Sequence, residues 1–201
     1  CWWISLPLLW ATVAAAPVGA DEPPRTFTIA ASGDILIHGS VARAAAAYAG
    51  GEGYDFTPML APTEPWIAEA DLALCHLEGT LSPTNTGLSY YPLFVAPYQV
   101  ADAIAAAGYD ACSLAGNHAL DGGEAGLEQT IALLEERGLA HEGTARSEEE
   151  RLPGLYEVNG VTVAHLDYTY GLNGLGLPHW YSVNIMDRQA ILDDARWVRE
   201  H

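Results

Sequence analysis

Metal-capable side chains follow four predicted strands of this sequence, at the point where each strand ends. In open α/β sheets, ligands bind in the crevice outside the carboxyl ends of the strands. Four such groups along one edge of a sheet are therefore expected to converge on one crevice. The groups are Asp34 with His38, His76 with Glu78, Asn117 and His118 with Asp121, and His165 with Asp167.

The donor types indicate a divalent metal ion. Carboxylate, amide and imidazole groups suit Mn, Fe, Zn or Mg, and no thiolate is required. Glu78 follows an apolar run and is a candidate to bridge two ions, the arrangement that activates water in two-metal hydrolysis. Gly33, Gly79 and Gly116 lie beside the polar groups and permit sharp turns. The pattern predicts a divalent metal site without identifying the ion.

Several of these side chains have structural alternatives. Asp34 and Asn117 are also preferred residue types for capping the helices that follow. Asp121 precedes two glycines and suits turn formation equally well. His165 lies in an apolar strand and is interpreted as a core residue, whereas Asp167 is a candidate only through its strand-end position. The residue types alone leave these alternatives open.

Strand-like and helix-like segments alternate along the chain, which predicts βαβ units around a mostly parallel sheet. Asn159-Gly160 between two apolar runs predicts one late hairpin. Residues 82–97 and the Gly-rich stretch 171–178 are predicted loops. The predicted fold class is α/β, with a layered sheet flanked by helices. The predicted strands cover 27–32, 71–77, 110–115, 155–158 and 161–166, and the predicted helices cover 39–49, 65–70, 98–107, 123–137 and 187–201.

Composition limits the classes of partner. The chain has 201 residues and a net charge of -18, from 26 acidic and 8 basic residues. Such a surface repels nucleic acid, because phosphate binding needs clustered Lys and Arg. It also repels a bare polyanion, so a phosphate or polyglutamate substrate would need a cation in between.

The three cysteines, Cys1, Cys75 and Cys112, form no C-x-x-C pair. A zinc ribbon or a redox motif is therefore unsupported. Cys75 and Cys112 lie in apolar runs, and we interpret both as buried free thiols that behave as small hydrophobes.

Both ends of the chain suggest a piece of a longer, exported protein. Residues 2–16 are apolar and uncharged, and small residues before Asp21 resemble a signal-peptidase site. We interpret 1–20 as a partial signal peptide, with an uncleaved membrane anchor or a buried core helix as alternatives. Residues 21–26 are a predicted linker, and 27–201 a single domain. The last helical pattern reaches residue 201 without a stop signal, so we expect the domain to be incomplete there.

Three of the polar groups carry a family resemblance. Residues 33–38 (GDILIH), 77–79 (LEG) and 114–123 (LAGNHALDGG) resemble three successive motifs of the CapA family, which takes part in capsule or poly-γ-glutamate synthesis. Residues 70–72 (ADL) and 107–110 (AGYD) precede the second and third motifs as they do in the family. The order and spacing match over about residues 27–186, which makes the combined resemblance specific.

The resemblance implies a fold related to the calcineurin-like metallophosphoesterases. It assigns Asp34, Glu78 and Asn117 as metal ligands, and His118 as a general acid or a donor to a phosphate oxygen. Asp121 is a further candidate catalytic residue.

Three departures from the family pattern bear on the site. His38 lies four residues after Asp34, whereas the phosphoesterase motif has a spacing of two, so His38 is a candidate fourth ligand on residue type alone. His76 and Gly116 stand where the family usually has Asn. We interpret His76 as an added ligand or an outer partner that orients a ligand, and Asp167 as a second outer partner. The resemblance places further His-containing motifs beyond residue 201, so we expect an incomplete site.

Three functions follow from the resemblance and stay open at this point. The first is a metal-dependent hydrolase of a phosphoester or another ester-like or amide bond, acting in capsule or poly-γ-glutamate synthesis at the outer face of the cell membrane. The second is a non-enzymatic accessory protein that binds the polymer or the membrane synthase proteins. The third is a generic phosphoesterase unrelated to capsule.

Overall fold

A computed structural model describes residues 24–201. The predicted signal peptide or anchor (1–20) and the first half of the predicted linker (21–23) lie outside the described residues. Within the described part of the chain, no helix is both long and apolar enough to cross a membrane. The elements are β1 (Ile29–Leu36), α1 (Gly39–Tyr48), α2 (Thr57–Leu60), α3 (Glu64–Ala68), β2 (Leu72–Glu78), β3 (Thr80–Ser82), β4 (Val95–Pro97), α4 (Gln99–Ala106), β5 (Ala111–Ser113), α5 (Gly123–Glu135), β6 (Ala140–Glu142), β7 (Gly154–Val158), β8 (Val161–His165) and α6 (Arg188–Glu200).

Four parallel strands form the central sheet, in the order β1-β2-β5-β6. Parallel neighbours need crossover connections, and helices supply them: α1 to α3 precede β2, α4 precedes β5, and α5 precedes β6. The predicted α/β fold with a mostly parallel sheet flanked by helices is confirmed. Because the strands run the same way, the carboxyl ends of β1, β2 and β5 lie at one edge.

The core lies between the sheet and its crossover helices. Leu77 on β2 is fully buried, as are Ile104 on α4 and Ile131 and Leu134 on α5. Ile131 and Leu134 are three residues apart, so they share one face of α5. On the same helix Thr130 accepts a hydrogen bond from the backbone of Leu81 at 2.8 Å. These contacts fix β2 and the chain that follows it, which carries the candidate site.

The predicted hairpin at Asn159-Gly160 is confirmed. β7 and β8 pair in antiparallel register, with Val158 opposite Val161. Asn159 and Gly160 have φ values of 50° and 73°. Positive φ at both central residues is the geometry that makes Asn-Gly favourable in a two-residue turn.

The sequence placed His165 and Asp167 on a fourth strand of the central sheet, and this prediction is wrong. His165 ends β8, but β8 belongs to the separate β7–β8 sheet, and β6 takes the fourth place in the central sheet. β6 is three residues long, Ala140 to Glu142, and has no apolar run that could reveal it. The predicted loop at 82–97 is also only partly correct, because the short parallel strands β3 and β4 form its two ends.

The interpretation of the cysteines as free thiols is wrong. Cys75 and Cys112 are joined by a disulfide, with their Cα atoms 4.4 Å apart. The two residues are direct partners in the register of β2 and β5. The bridge is buried in the core and covalently links the two strands that carry Glu78 and lead to Asn117. The sequence of each strand shows only an apolar run. That the two sulfurs meet follows from the register between β2 and β5.

A buried ion pair holds the last helix against the hairpin region. Asp187 caps α6 by accepting hydrogen bonds from the backbones of Gln189 and Ala190. Asp194 in the same helix takes two hydrogen bonds from the Arg151 guanidinium, each 3.0 Å long, and one from the Tyr168 hydroxyl. Two parallel bonds of this kind give the contact both strength and a fixed geometry.

Candidate metal centre

Asp34, His76 and Glu78 meet at the carboxyl ends of β1 and β2. Each offers one ligand atom, and these atoms lie within 4.8 Å of one another. Asp34 and His76 are paired in the register of the two strands, and Glu78 lies two residues further along β2. Side chains two apart on a strand point to the same face, which brings His76 and Glu78 to one side. We call these three residues the acidic triad.

The charges of the acidic triad suit a cation. Burial raises the pKa of Glu78, and a hydrogen bond and charge repulsion from Asp34 raise it further. His118 and His76 act in the opposite direction. A divalent ion between these groups would replace the repulsion between two carboxylates with attraction. Two carboxylates and an imidazole are also donors that Mn, Fe and Zn accept, so the residues fit such an ion.

His118 and Asp121 form a second unit beside the acidic triad. Nδ1 of His118 lies 2.6 Å from Oδ2 of Asp121, whose side chain is fully buried. The same oxygen accepts a hydrogen bond from the backbone of Phe94 at 2.6 Å. Nε2 of His118 lies 3.8 Å from Oε1 of Glu78. Asp121 thus fixes the imidazole through Nδ1, so that Nε2 faces Glu78, which is how a carboxylate orients a catalytic His.

His38 lies outside the acidic triad. It immediately precedes α1, and its ring meets the edge of Phe94 with 5.1 Å between ring centroids. Phe94 in turn meets His118 at 4.7 Å. The buried Phe94 ring therefore separates the two imidazoles and supports His118 from one side. The assignment of His38 as a ligand stays a prediction.

Asn117 is bound by a residue that the sequence did not single out. Its Nδ2 donates to Oδ1 of Asn173 at 3.3 Å. Nδ2 of Asn173 also lies 3.4 Å from Nε2 of His118. Because Nδ2 of Asn117 is engaged, its carbonyl oxygen is the atom left to bind an ion. Asn173 has a φ of 52° within the Gly-rich stretch, and an Asn among glycines was the available signal.

Asp167 and His165 support the end of β5 from the hairpin side. Oδ2 of Asp167 accepts a hydrogen bond from the backbone of Ala115 at 2.7 Å. Nε2 of His165 lies 2.9 Å from the Ser113 hydroxyl. Burial raises the pKa of Asp167, and the backbone hydrogen bond opposes that rise. Both side chains therefore brace the backbone that leads into Asn117, although neither belongs to the acidic triad.

Glu142, the last residue of β6, has a buried carboxyl group. Oε2 of Glu142 accepts a hydrogen bond from the backbone of Gly154 at 2.9 Å, and the Tyr156 hydroxyl donates to Oε1 at 3.2 Å. Burial is the largest effect on Glu142 and raises its pKa to about 7. Glu142 is an end residue of β6, which the sequence did not predict, and no motif marked it.

Glu142 should make the protein less stable as the pH rises from about 5 to 8. The folded pKa lies above the ordinary value of 4.5, so the folded state binds the proton more tightly than the unfolded state does. The stabilisation is therefore complete below the unfolded pKa and disappears as the pH passes the folded pKa. One pKa unit corresponds to about 1.4 kcal/mol, which gives a loss of up to about 3 kcal/mol.

Urea unfolding of the parent and of Glu142→Gln at pH 5 and pH 8 measures this loss. The substitution should flatten the pH dependence of the free energy of unfolding. Glu157→Gln, at an exposed position on the neighbouring hairpin, is the matched control and should leave the pH dependence as it is. An equal pH dependence in the parent and Glu142→Gln would rule out Glu142 as its origin.

Comparison with known families identifies the type of protein to which this chain belongs. The model of the family described as bacterial capsule synthesis protein PGA_cap matches residues 28–191. This chain belongs to the PGA_cap family. The match includes every residue of the acidic triad, the His118–Asp121 pair and Asn173. No curated protein matches the chain.

Membership of PGA_cap confirms the resemblance to the CapA family and the role in capsule synthesis. In this chain Asp34 and Glu78 lie near the carboxyl ends of β1 and β2, and Asn117 follows β5. The assignment of all three as metal ligands stays a prediction. The fold also brings His76 into the acidic triad, where the sequence left open whether that residue is a ligand or an outer partner.

Proposed function

We propose that this chain is a metal-dependent hydrolase of capsule synthesis. The observation that supports it best is the meeting of two units with different chemistry. The acidic triad can hold a divalent ion, and the His118–Asp121 pair places Nε2 of the imidazole 3.8 Å from Glu78. A metal-binding group beside an oriented imidazole is the combination that hydrolysis of a phosphoester, ester or amide bond requires.

Asp34, His76 and Glu78 would hold the ion, with the carbonyl oxygen of Asn117 as a further donor. A bound divalent ion would polarise the scissile group and lower the pKa of a water molecule. His118 would hold a proton at Nε2 and transfer it to the leaving group as the bond breaks. Asp121 keeps the His118 ring in place through Nδ1, and Phe94 limits its movement.

A polar cleft next to Asp121 offers room for the substrate. Its volume is about 440 Å³, and it is open to solvent. Apart from Asp121, its lining contributes neutral hydrogen-bonding groups and no basic ones. Such a lining suits hydroxyl-rich or amide-containing polymer units, which is consistent with a capsule polymer or poly-γ-glutamate as substrate. The polar residues of the lining are Ser82, Thr84, Thr86, Asp121 and Gln129.

The charge of the chain makes a cation essential for an anionic substrate. The net charge is -18, and the sequence contains no lysine. Arg43 forms no ion pair with any residue of 24–201 and lies near Tyr90, over Gly39 at the start of α1. Arg43 and a bound metal ion would together offset the repulsion between the acidic protein and a polymer carboxylate or phosphate.

The protein is proposed to act outside the cytoplasm. A buried disulfide persists in oxidising compartments and is rare in the cytosol, so the Cys75–Cys112 bridge supports export. The apolar run at 2–16 is proposed to direct that export or to hold the chain at the membrane. The polymer and the membrane synthase proteins are the proposed partners.

Substitution of His118 tests the hydrolase. The full-length protein is purified, loaded with Mn²⁺ or Zn²⁺ and assayed with a chromogenic phosphodiester and a chromogenic ester. We expect His118→Ala to lower turnover by about 100-fold or more, in line with the loss of a general acid, while metal affinity changes little. His201→Ala, at an exposed position, is the matched control and should keep full turnover.

The alternative functions give different results in the same assay. If the protein binds metal but turns over no substrate, the hydrolase is rejected in favour of the non-enzymatic accessory protein. Turnover that survives His118→Ala would remove the role given to this residue. Hydrolysis of small phosphodiesters by a protein whose deletion leaves the capsule intact would favour a generic phosphoesterase.

A further inference from the structure

His76 occupies the space that a side chain at position 116 would fill. A Cβ atom added to Gly116 would lie 3.2 Å from Nε2 of His76 and 3.5 Å from its Cε1. The same atom would lie 3.6 Å from Cγ of Glu78. Atoms in van der Waals contact are normally about 3.5–4.0 Å apart. A Cβ atom at position 116 would therefore require the imidazole to shift by a few tenths of an ångström from its present position.

The space that Gly116 leaves free is the space in which the His76 imidazole lies close to Asp34 and Glu78. Nε2 of His76 lies 3.9 Å from Oδ1 of Asp34, and β2 already places Glu78 on the same side. A larger residue at 116 would have to displace the ring from this position. Gly116 itself carries no donor atom, so its influence on a bound ion is indirect.

The imidazole changes which ion the triad prefers. Carboxylate, carbonyl and water ligands suit Mg²⁺ and Mn²⁺, whereas imidazole nitrogen suits zinc and its late transition-metal neighbours. For a given set of nitrogen and oxygen donors, affinity also rises from Mn²⁺ towards Zn²⁺. A nitrogen donor within the acidic triad increases the preference for Zn²⁺ over Mn²⁺.

We propose that His76 makes this a zinc-type site, and that Gly116 determines this preference by leaving room for the ring. The proposal rests on the metal-binding triad of the proposed function. It adds the class of ion, and it identifies Gly116 as a residue that sets the metal preference without binding the ion.

The test compares affinities for Zn²⁺ and Mn²⁺, measured by competition with a metal-binding dye on the purified chain. The parent should bind Zn²⁺ at least about 100-fold more tightly than Mn²⁺. His76→Asn should reduce that ratio at least about tenfold, mainly by weakening Zn²⁺ binding. Gly116→Ala should reduce the ratio in the same direction because the new Cβ displaces the ring.

Gly33→Ala is the matched control. Gly33 precedes Asp34, and a Cβ atom added there would meet nothing within 4 Å, so the ratio should stay at the parental value. The thermal unfolding midpoint of each metal-free variant verifies that it is folded. Should Gly116→Ala be poorly folded, His76→Asn and His76→Gln measure the contribution of the imidazole without adding an atom at 116.

The outcomes separate this inference from the proposed function. If the parent binds neither ion, both fail. If the parent binds metal but prefers Mn²⁺, or if His76→Asn keeps the parental ratio, the zinc-type site is wrong and the metal-dependent hydrolase stands. If only the folded Gly116→Ala variant keeps the ratio, Gly116 does not set the preference.

Discussion

Glu78→Gln should reduce the affinity for divalent metal by more than about 100-fold, beyond the tenfold to 100-fold loss typical of an outer partner of a ligand. Glu78 lies between the other two members of the acidic triad and His118. The substitution keeps the shape of the side chain but removes the negative charge that attracts the ion. Isothermal titration with Zn²⁺ and Mn²⁺ measures the loss.

The same substitution should leave the metal-free protein at least as stable as the parent. Burial and repulsion from Asp34 make the charged form of Glu78 unfavourable when no ion is present. A neutral amide removes that repulsion, so the thermal unfolding midpoint of the metal-free variant should not fall. Glu69→Gln, at an exposed position, is the control and should change neither metal affinity nor stability. Unchanged metal affinity in Glu78→Gln would remove the acidic triad as the binding site.

Removal of the Cys75–Cys112 disulfide should lower the free energy of unfolding by about 4 kcal/mol. The bridge closes a loop with a sequence separation of 37 residues. A cross-link across a loop of that length restricts the unfolded chain by about this amount in the chain-entropy account. Chemical denaturation of the Cys75→Ala/Cys112→Ala double variant and of the parent measures the difference.

Reduction of the parent provides the matched control. The parent in a strong reductant that reaches the unfolded chain should approach the stability of the double variant, while the double variant should not respond to reductant. A parent that unfolds at the same denaturant concentration with and without reductant, after thiol titration has confirmed reduction, would show that the bridge adds no stability.

Long elements were predictable from the sequence because their apolar residues repeat. The helix ending near residue 137 and the buried strand before Glu78 have enough residues to show a period, and Asn159-Gly160 has a specific turn geometry. β3, β4 and β6 have three residues each and were not predicted. β5 is equally short, but it lies within the apolar run 110–115, which marked it. The disulfide depends on the register between β2 and β5, which neither strand encodes on its own.

The site was predictable to the extent that residue type and strand ends determine it. Asp34 and Glu78 lie at strand ends and meet as expected. The direction of His76 was not predictable, because it depends on a missing side chain at Gly116 in another segment. Asn173 reaches Asn117 through a loop with a left-handed residue, and such a path leaves little trace in the sequence.

The parallel central sheet also limits how fast this protein can fold. Every neighbouring pair in that sheet is joined by a crossover, so no pair can form by closing a short turn. Contacts between segments that are distant in the sequence stabilise the fold only after a long loop has closed. Parallel sheets, which depend on such contacts, therefore fold slowly. The candidate metal site draws on segments from Asp34 to Asn173, so we expect it to be complete only late in folding. A chain that crosses a membrane unfolded would thus expose its apolar strands for longer than a helical protein of this size, and would depend on chaperones during that interval.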